Sequence, residues 1–186
     1  LFTMPHRRER TIILAALFVA LSVALGFLLS EIPNVELMTL TVFVSGLFCG
    51  ARLGGLVGGL SILFYSLFNP LGPAPAPLLA AQVIGFVVTG AAGGLAGPRI
   101  APSGWRGVMA SAAAGFVVTL LYDVLTTLAT AFIALGVARF ASGAPGVFIA
   151  GAAFAAWHIG INTAVFAAAV SPIVRGVRAW QGGGAS

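Results

Sequence analysis

Charged side chains are confined to a few points along this chain, and the stretches between them are long. No acidic or basic residue occurs between Arg10 and Glu31, between Glu36 and Arg52, between Arg52 and Arg99, or between Arg139 and Arg175. Between Arg106 and Arg139 a single one, Asp123, stands alone. A hydrocarbon layer ~30 Å thick is crossed by about 20 apolar residues in a helix. There every backbone polar group must be satisfied internally, which leaves helices or closed barrels. The apolar runs are continuous, without the alternation of barrel strands. The chain is therefore expected to be an all-α polytopic membrane protein. A hydrophobic share of 60% with 7% charged residues agrees with this, and a mean hydropathy of +1.10 lies outside the soluble class. At ~20 residues per span, 186 residues accommodate about six spans, and residues 1–186 are read as one membrane domain.

The spans are expected at about Thr11–Ser30, Leu37–Gly50, Gly54–Phe68, Leu78–Ala96, Gly107–Leu135 and Val147–Val170. Residues 1–10 and 171–186 are then tails, with Met4 a candidate native start and "QGGGAS" a linker-like end. "RRER" before an apolar run imitates a signal peptide, but the run is too long and no A-x-A site follows, so it is read as a retained first span. The connections are "SEIPNVE", "ARL", "NPLGPAPAP", "GPRIAPSGWR" and "GVARFASGAPG". Six spans put both termini on one side. That side collects Arg7, Arg8, Arg10, Arg52, Arg99, Arg106, Arg175 and Arg178, against Arg139 alone on the other. Basic residues favour the cytoplasmic side, so both termini are expected there. Because the arginines sit in tails and short loops, the net charge of +5 reflects orientation rather than nucleic-acid binding.

Polar groups inside the spans carry the functional signal. Asp123 has no basic residue within a helical turn, and a carboxylate at membrane depth costs about 2.5–3.5 kcal/mol on the insertion scale. It must face protein, water or a ligand. It lies roughly 24 Å along its helix from Gly107 at 1.5 Å per residue, towards the outer surface. His158 and Asn162 enter from the opposite end of the last span to a similar depth, and their i,i+4 spacing sets them on one face. Trp157 adjoins them. Glu36, Tyr65, Asn69, Gln82 and Tyr122 fall on the same outer half. A pocket with aromatic walls and a few hydrogen-bonding groups has this composition. Packing remains the alternative for each residue taken singly, and a proton relay through Asp123 and His158 in a stand-alone secondary transporter is the second functional reading.

Enzymatic readings lack their parts. "HIGIN" has the H-x-x-x-N spacing of rhomboid proteases, but no G-x-S-G nucleophile accompanies it. No H-E-x-x-H occurs, no acid cluster offers a magnesium site, and Cys49 is the sole cysteine.

Two stripes of small residues complete the pattern. Ala16, Ala20 and Ala24 repeat every four residues on the first span, opposite Leu14, Leu17, Phe18, Leu21 and Leu25. Gly54/Gly58 and Gly55/Gly59 open the third. Such spacing lets helices approach closely. The span count, the alanine stripe and the segment "IPNVELMTLTVFVSGLFCGARLGGLVGGLSILFYSLFNPLGPAPAPLLAAQVIG" together resemble the substrate-binding S components of energy-coupling factor (ECF) vitamin transporters over nearly the whole chain. The resemblance implies a binding subunit that takes a vitamin-like micronutrient near the outer face of a bacterial or archaeal cytoplasmic membrane. Outer loops would act as lids. It implies docking through Ala16, Ala20 and Ala24 on a transmembrane coupling protein, and two partner ATPases that use the ATP. The chain has no G-x-x-x-x-G-K-[ST] of its own. The same segment is similar to S components proposed for queuosine or its deazapurine precursors.

Overall fold

The computed structural model describes residues 7–30, 32, 36–69, 72–100 and 104–183, and the side chains of these except 7, 8, 98, 99 and 177–183. Within them the chain forms α1 (Arg7–Leu28), α2 (Met38–Cys49), α3 (Ala51–Leu67), α4 (Ala76–Ala96), a 3-10 turn (Gly97–Ile100) and α5 (Trp105–Gly183), with no strand. Much of the expected loops "SEIPNVE" and "NPLGPAPAP", and the ends at 1–6 and 184–186, lie outside the described residues or between helices.

Helices form because the apolar runs leave the backbone no other partner. Some buried hydroxyls follow the same rule by bonding back to carbonyls one turn earlier, whereas those of Ser22, Ser61, Thr119 and Ser171 have no partner. Thr41 donates to Leu37 O (2.7 Å), Thr89 to Gly85 O (2.9 Å) and Ser111 to Gly107 O (2.8 Å).

Three expectations are corrected. "ARL" is not a loop, because α3 already begins at Ala51 and the reversal from α2 is made by Gly50 alone, at φ 84°. A positive φ is open to glycine without steric cost. "GVARFASGAPG" is not a loop either. Gly136 (φ 65°, ψ 174°) breaks α5, and residues 137–146 are helical, with Pro145 inside the helix. Nor does the last helix stop near Val170, since it runs on to Gly183, into "QGGGAS". The segments expected as fifth and sixth spans are thus two arms of α5. They run antiparallel: Gly115 packs on the Phe166 ring, and eight residues on along one arm and eight back along the other, Asp123 meets His158.

Among the described residues, three segments are long and apolar enough to cross a membrane: Glu9–Leu28, Ala76–Ala96 and the bent stretch Trp105–Gly176. α2, with 12 residues, spans only about 18 Å. Its position explains how a short helix is accommodated. Met38 through Gly46 are all buried, so α2 is surrounded by helices and need not match the lipid. One core cluster joins Leu40, Phe43 and Val44 of α2 to Val118, Phe166, Val170 and Val174 of α5, with the Phe43 and Phe166 rings 5.2 Å apart. A second joins Ala15, Met38, Val42, Val57, Ile62 and Phe86.

Backbone contact fixes α2, α3 and α4. A Cβ on Gly58 would overlap the Phe86 carbonyl oxygen, one on Gly90 the Gly54 carbonyl oxygen, and one on Gly46 the Gly90 carbonyl oxygen. The Gly54/Gly58 stripe makes this crossing. Gly55 and Gly59 meet mainly Val87 and Val83 at ordinary to snug distances. Ala16, Ala20 and Ala24 lie on the outward, exposed face of α1, while Ala15, Ser22 and Gly26 face inward.

Candidate functional site

Alternating helix directions bring together the ends of α1, α3 and the first arm of α5 with the starts of α2 and α4. Arg52 and Arg106 lie at the other end of the bundle, at the starts of α3 and α5. A cavity of about 500 Å³ opens among the first group. Its walls include Gly26 and Ser30 of α1 and its end, Glu36 before α2, Met38, Tyr65, Gln82, Phe86, Tyr122, Asp123, Thr126, Phe154 and His158.

The floor is a carboxylate–imidazole–carboxylate row. His158 Nδ1 lies 2.8 Å from Asp123 Oδ1, and Nε2 lies 3.9 Å from Glu36 Oε1. An ionised carboxylate can only accept, so Nδ1–H is the donor to Asp123. Asp123 and His158 are 8% and 7% exposed, so the pair is held out of bulk solvent. Glu36 is anchored locally: the Thr39 backbone N–H donates to Oε2 at 3.1 Å, and the Thr39 hydroxyl donates to Oε1. Burial pushes the Glu36 carboxyl up, but the nearby His158 and the Thr39 donors outweigh it and hold the group below the usual carboxylate range. Asp123 Oδ2 and Gln82 Oε1 are buried and have no hydrogen-bond partner.

Aromatic rings form the walls. Tyr122 meets His158 edge-on (centroids 6.2 Å) and Phe86 likewise (5.5 Å), and Tyr65 packs on Phe27 (5.0 Å). Small residues admit them: a Cβ on Gly85 would strike the Tyr122 ring, and one on Gly26 would strike Met38 and Tyr65. The result is an apolar chamber with a few convergent polar groups, within the ~300–1,000 Å³ usual for small-molecule sites.

A family model described as "ECF transporter, substrate-specific component" matches residues 10–175. The chain belongs to this family. No curated protein and no solved structure matches it. As an ECF substrate-specific component it is a transporter's substrate-binding subunit and not an enzyme. Its family works in the membrane with ECF coupling and ATPase components and a small-molecule substrate.

In this S component the cavity gathers Glu36, Tyr65, Gln82, Tyr122, Asp123 and His158. Three other sequence candidates lie outside its lining. Trp157 is 60% exposed on the outer surface, because one residue along a helix turns the side chain about 100° away from His158. Asn69 stands in the turn after α3, where its carbonyl accepts from Gly72 N–H at 2.9 Å. Asn162 is fully buried one turn beyond His158, between the Asp123–His158 and Gly115–Phe166 levels, and neither amide atom has a partner. Sequence reasoning missed Met38, Phe86, Thr126 and Phe154. Thr126 carried the one available signal: it follows Asp123 by three residues and so shares its helix face.

Proposed function

We propose that this S component captures a flat, nitrogen-rich heterocyclic micronutrient in the cavity and delivers it by docking on a coupling protein driven by two ATPases. A deazapurine precursor of queuosine is the leading candidate. The observation that carries this reading is the buried Asp123–His158 pair in the wall of a 500 Å³ cavity. A carboxylate edge accepts paired N–H groups from an amidine- or guanine-like ring, and the tyrosines and phenylalanines offer faces for stacking. In this reading α1 to α4 and the two arms of α5 make six crossings. The arginine-rich end is cytoplasmic, and the cavity opens outward in a bacterial or archaeal cytoplasmic membrane.

Native mass spectrometry of the detergent-purified protein from rich medium tests it. A co-purified heterocycle is expected, and its mass is expected to vanish in Asp123→Asn. A clean apo mass followed by no thermal shift with vitamins or deazapurines would remove the binding-subunit assignment of the cavity.

The exposed alanine stripe supplies a separate prediction. Ala20→Trp places a large ring on the outward face of α1 without touching the cavity. Co-purification with the coupling protein is expected to drop at least about tenfold, since close helix approach depends on small residues, while ligand binding stays unchanged. Equal co-purification would move the docking surface elsewhere.

A further inference from the structure

We propose that the ligand of this cavity is a monocation whose charge is carried on N–H groups: a protonated amine or amidinium attached to a flat ring. This rests on the cavity being the ligand site and adds the charge class. The cavity wall contains two carboxylates, Glu36 and Asp123, and one imidazole, His158; no Lys or Arg lines it among the described residues. Both carboxylates are in acceptor roles, Glu36 towards the two Thr39 donors and Asp123 towards His158 Nδ1. With both ionised, the wall keeps at least one net negative charge even when His158 is an imidazolium. At low dielectric such an uncompensated charge is costly. A monocation cancels that single charge, and with a neutral imidazole it cancels one of two.

The unpartnered atoms fix the chemistry further. Asp123, 8% exposed, has a buried Oδ2 with no donor, and Gln82 a buried Oε1 likewise, and both residues line the cavity. Two acceptors call for two N–H donors, which an ammonium or amidinium has and a quaternary nitrogen lacks. Tyr65, Tyr122, Phe86 and Phe154 add ring faces that favour a cation over an anion. Carboxylate and phosphate ligands are excluded by the same count.

Ring sets that differ in charge test this by isothermal titration of the purified protein: benzamidine against benzamide and benzoate, and one deazapurine ring bearing aminomethyl against cyano. The cationic member of each set is expected to bind at least about tenfold tighter, the low end for a charge-assisted hydrogen bond. The ratio is expected to fall towards unity in Asp123→Asn and in Glu36→Gln. The second variant lies in the loop before α2 and carries the comparison if the first does not fold. Equal or tighter binding of the neutral or anionic member overturns the cation assignment and leaves the cavity as the ligand site. Binding of no member, with no co-purified molecule, overturns both.

Discussion

His158→Leu is expected to lower the unfolding free energy by about 3–5 kcal/mol, and adding Asp123→Leu to recover most of that loss, while neither variant binds ligand. The sign follows from what each change leaves behind. His158→Leu removes the donor at 2.8 Å from Asp123 Oδ1, and Oδ2 already has no partner. A carboxylate that is 8% exposed is then alone in an apolar wall, and breaking a buried pair from one side costs about 3–5 kcal/mol. Replacing both partners by apolar groups removes the orphan, and such exchanges are commonly neutral or stabilising. An ordinary hydrogen bond between membrane helices is worth only ~0.6 kcal/mol on average, so the two accounts differ by several-fold. Reversible unfolding in mixed micelles, run as a double-mutant cycle with titration of the co-purified ligand, separates them. A single-variant loss below about 1 kcal/mol would show that Asp123 does not depend on His158, and the row from Glu36 through His158 to Asp123 would not be the organising feature of the cavity. If the double variant recovered stability and still bound, the pair would be scaffold alone.

How much of this was legible in the sequence depends on what the membrane makes expensive. Asp123 could be singled out because no residue type is costlier at that depth, and His158 because it interrupts a run otherwise free of charge from Arg139 to Arg175. Their meeting was implied by similar depths on neighbouring spans, and the antiparallel arms of α5 produce it. Asn162 had an equally good spacing argument and lies elsewhere. Four residues advance the helix by about 6 Å, enough to carry the side chain past the cavity floor into the packed level above Phe166. Apolar wall residues such as Met38, Phe86 and Phe154 could not be distinguished, because core, cavity and lipid all select the same side chains in a membrane span. Turns were misjudged for a related reason. Proline and glycine in "GVARFASGAPG" read as loop, whereas Gly136 alone makes the reversal and Pro145 sits inside the following helix. The short α2 was legible as a deficit in length, but its enclosure by neighbouring helices is a tertiary fact.

The glycine crossing beneath the cavity sets the second large effect. Gly90→Leu is expected to abolish the folded protein, and Gly90→Ala to destabilise it by about 1–3 kcal/mol or more. An added Cβ there overlaps the Gly54 carbonyl oxygen, and the Gly55 backbone N lies 3.0 Å away. The obstacle is backbone rather than the end of a flexible side chain, so relief requires α3 and α4 to separate. Separation is not local. Gly46 of α2 packs on the Gly90 carbonyl, and Gly93 packs on the Phe43 carbonyl, while Phe43 holds the Phe166 ring of α5. α3 and α4 also carry Tyr65, Gln82 and Phe86 into the cavity, so a shift at the crossing would be felt at the wall. Gly160→Ala is the matched control. Nothing lies within 4 Å of a Cβ at that position, and alanine is the better helix former by roughly 0.5–1 kcal/mol, so unchanged or slightly raised stability is expected. Monodisperse yield in detergent and thermal unfolding distinguish the cases. If Gly90→Leu eluted and melted like the wild type, α3 and α4 would not cross at backbone contact, and the placement of the cavity between them would fall with that crossing.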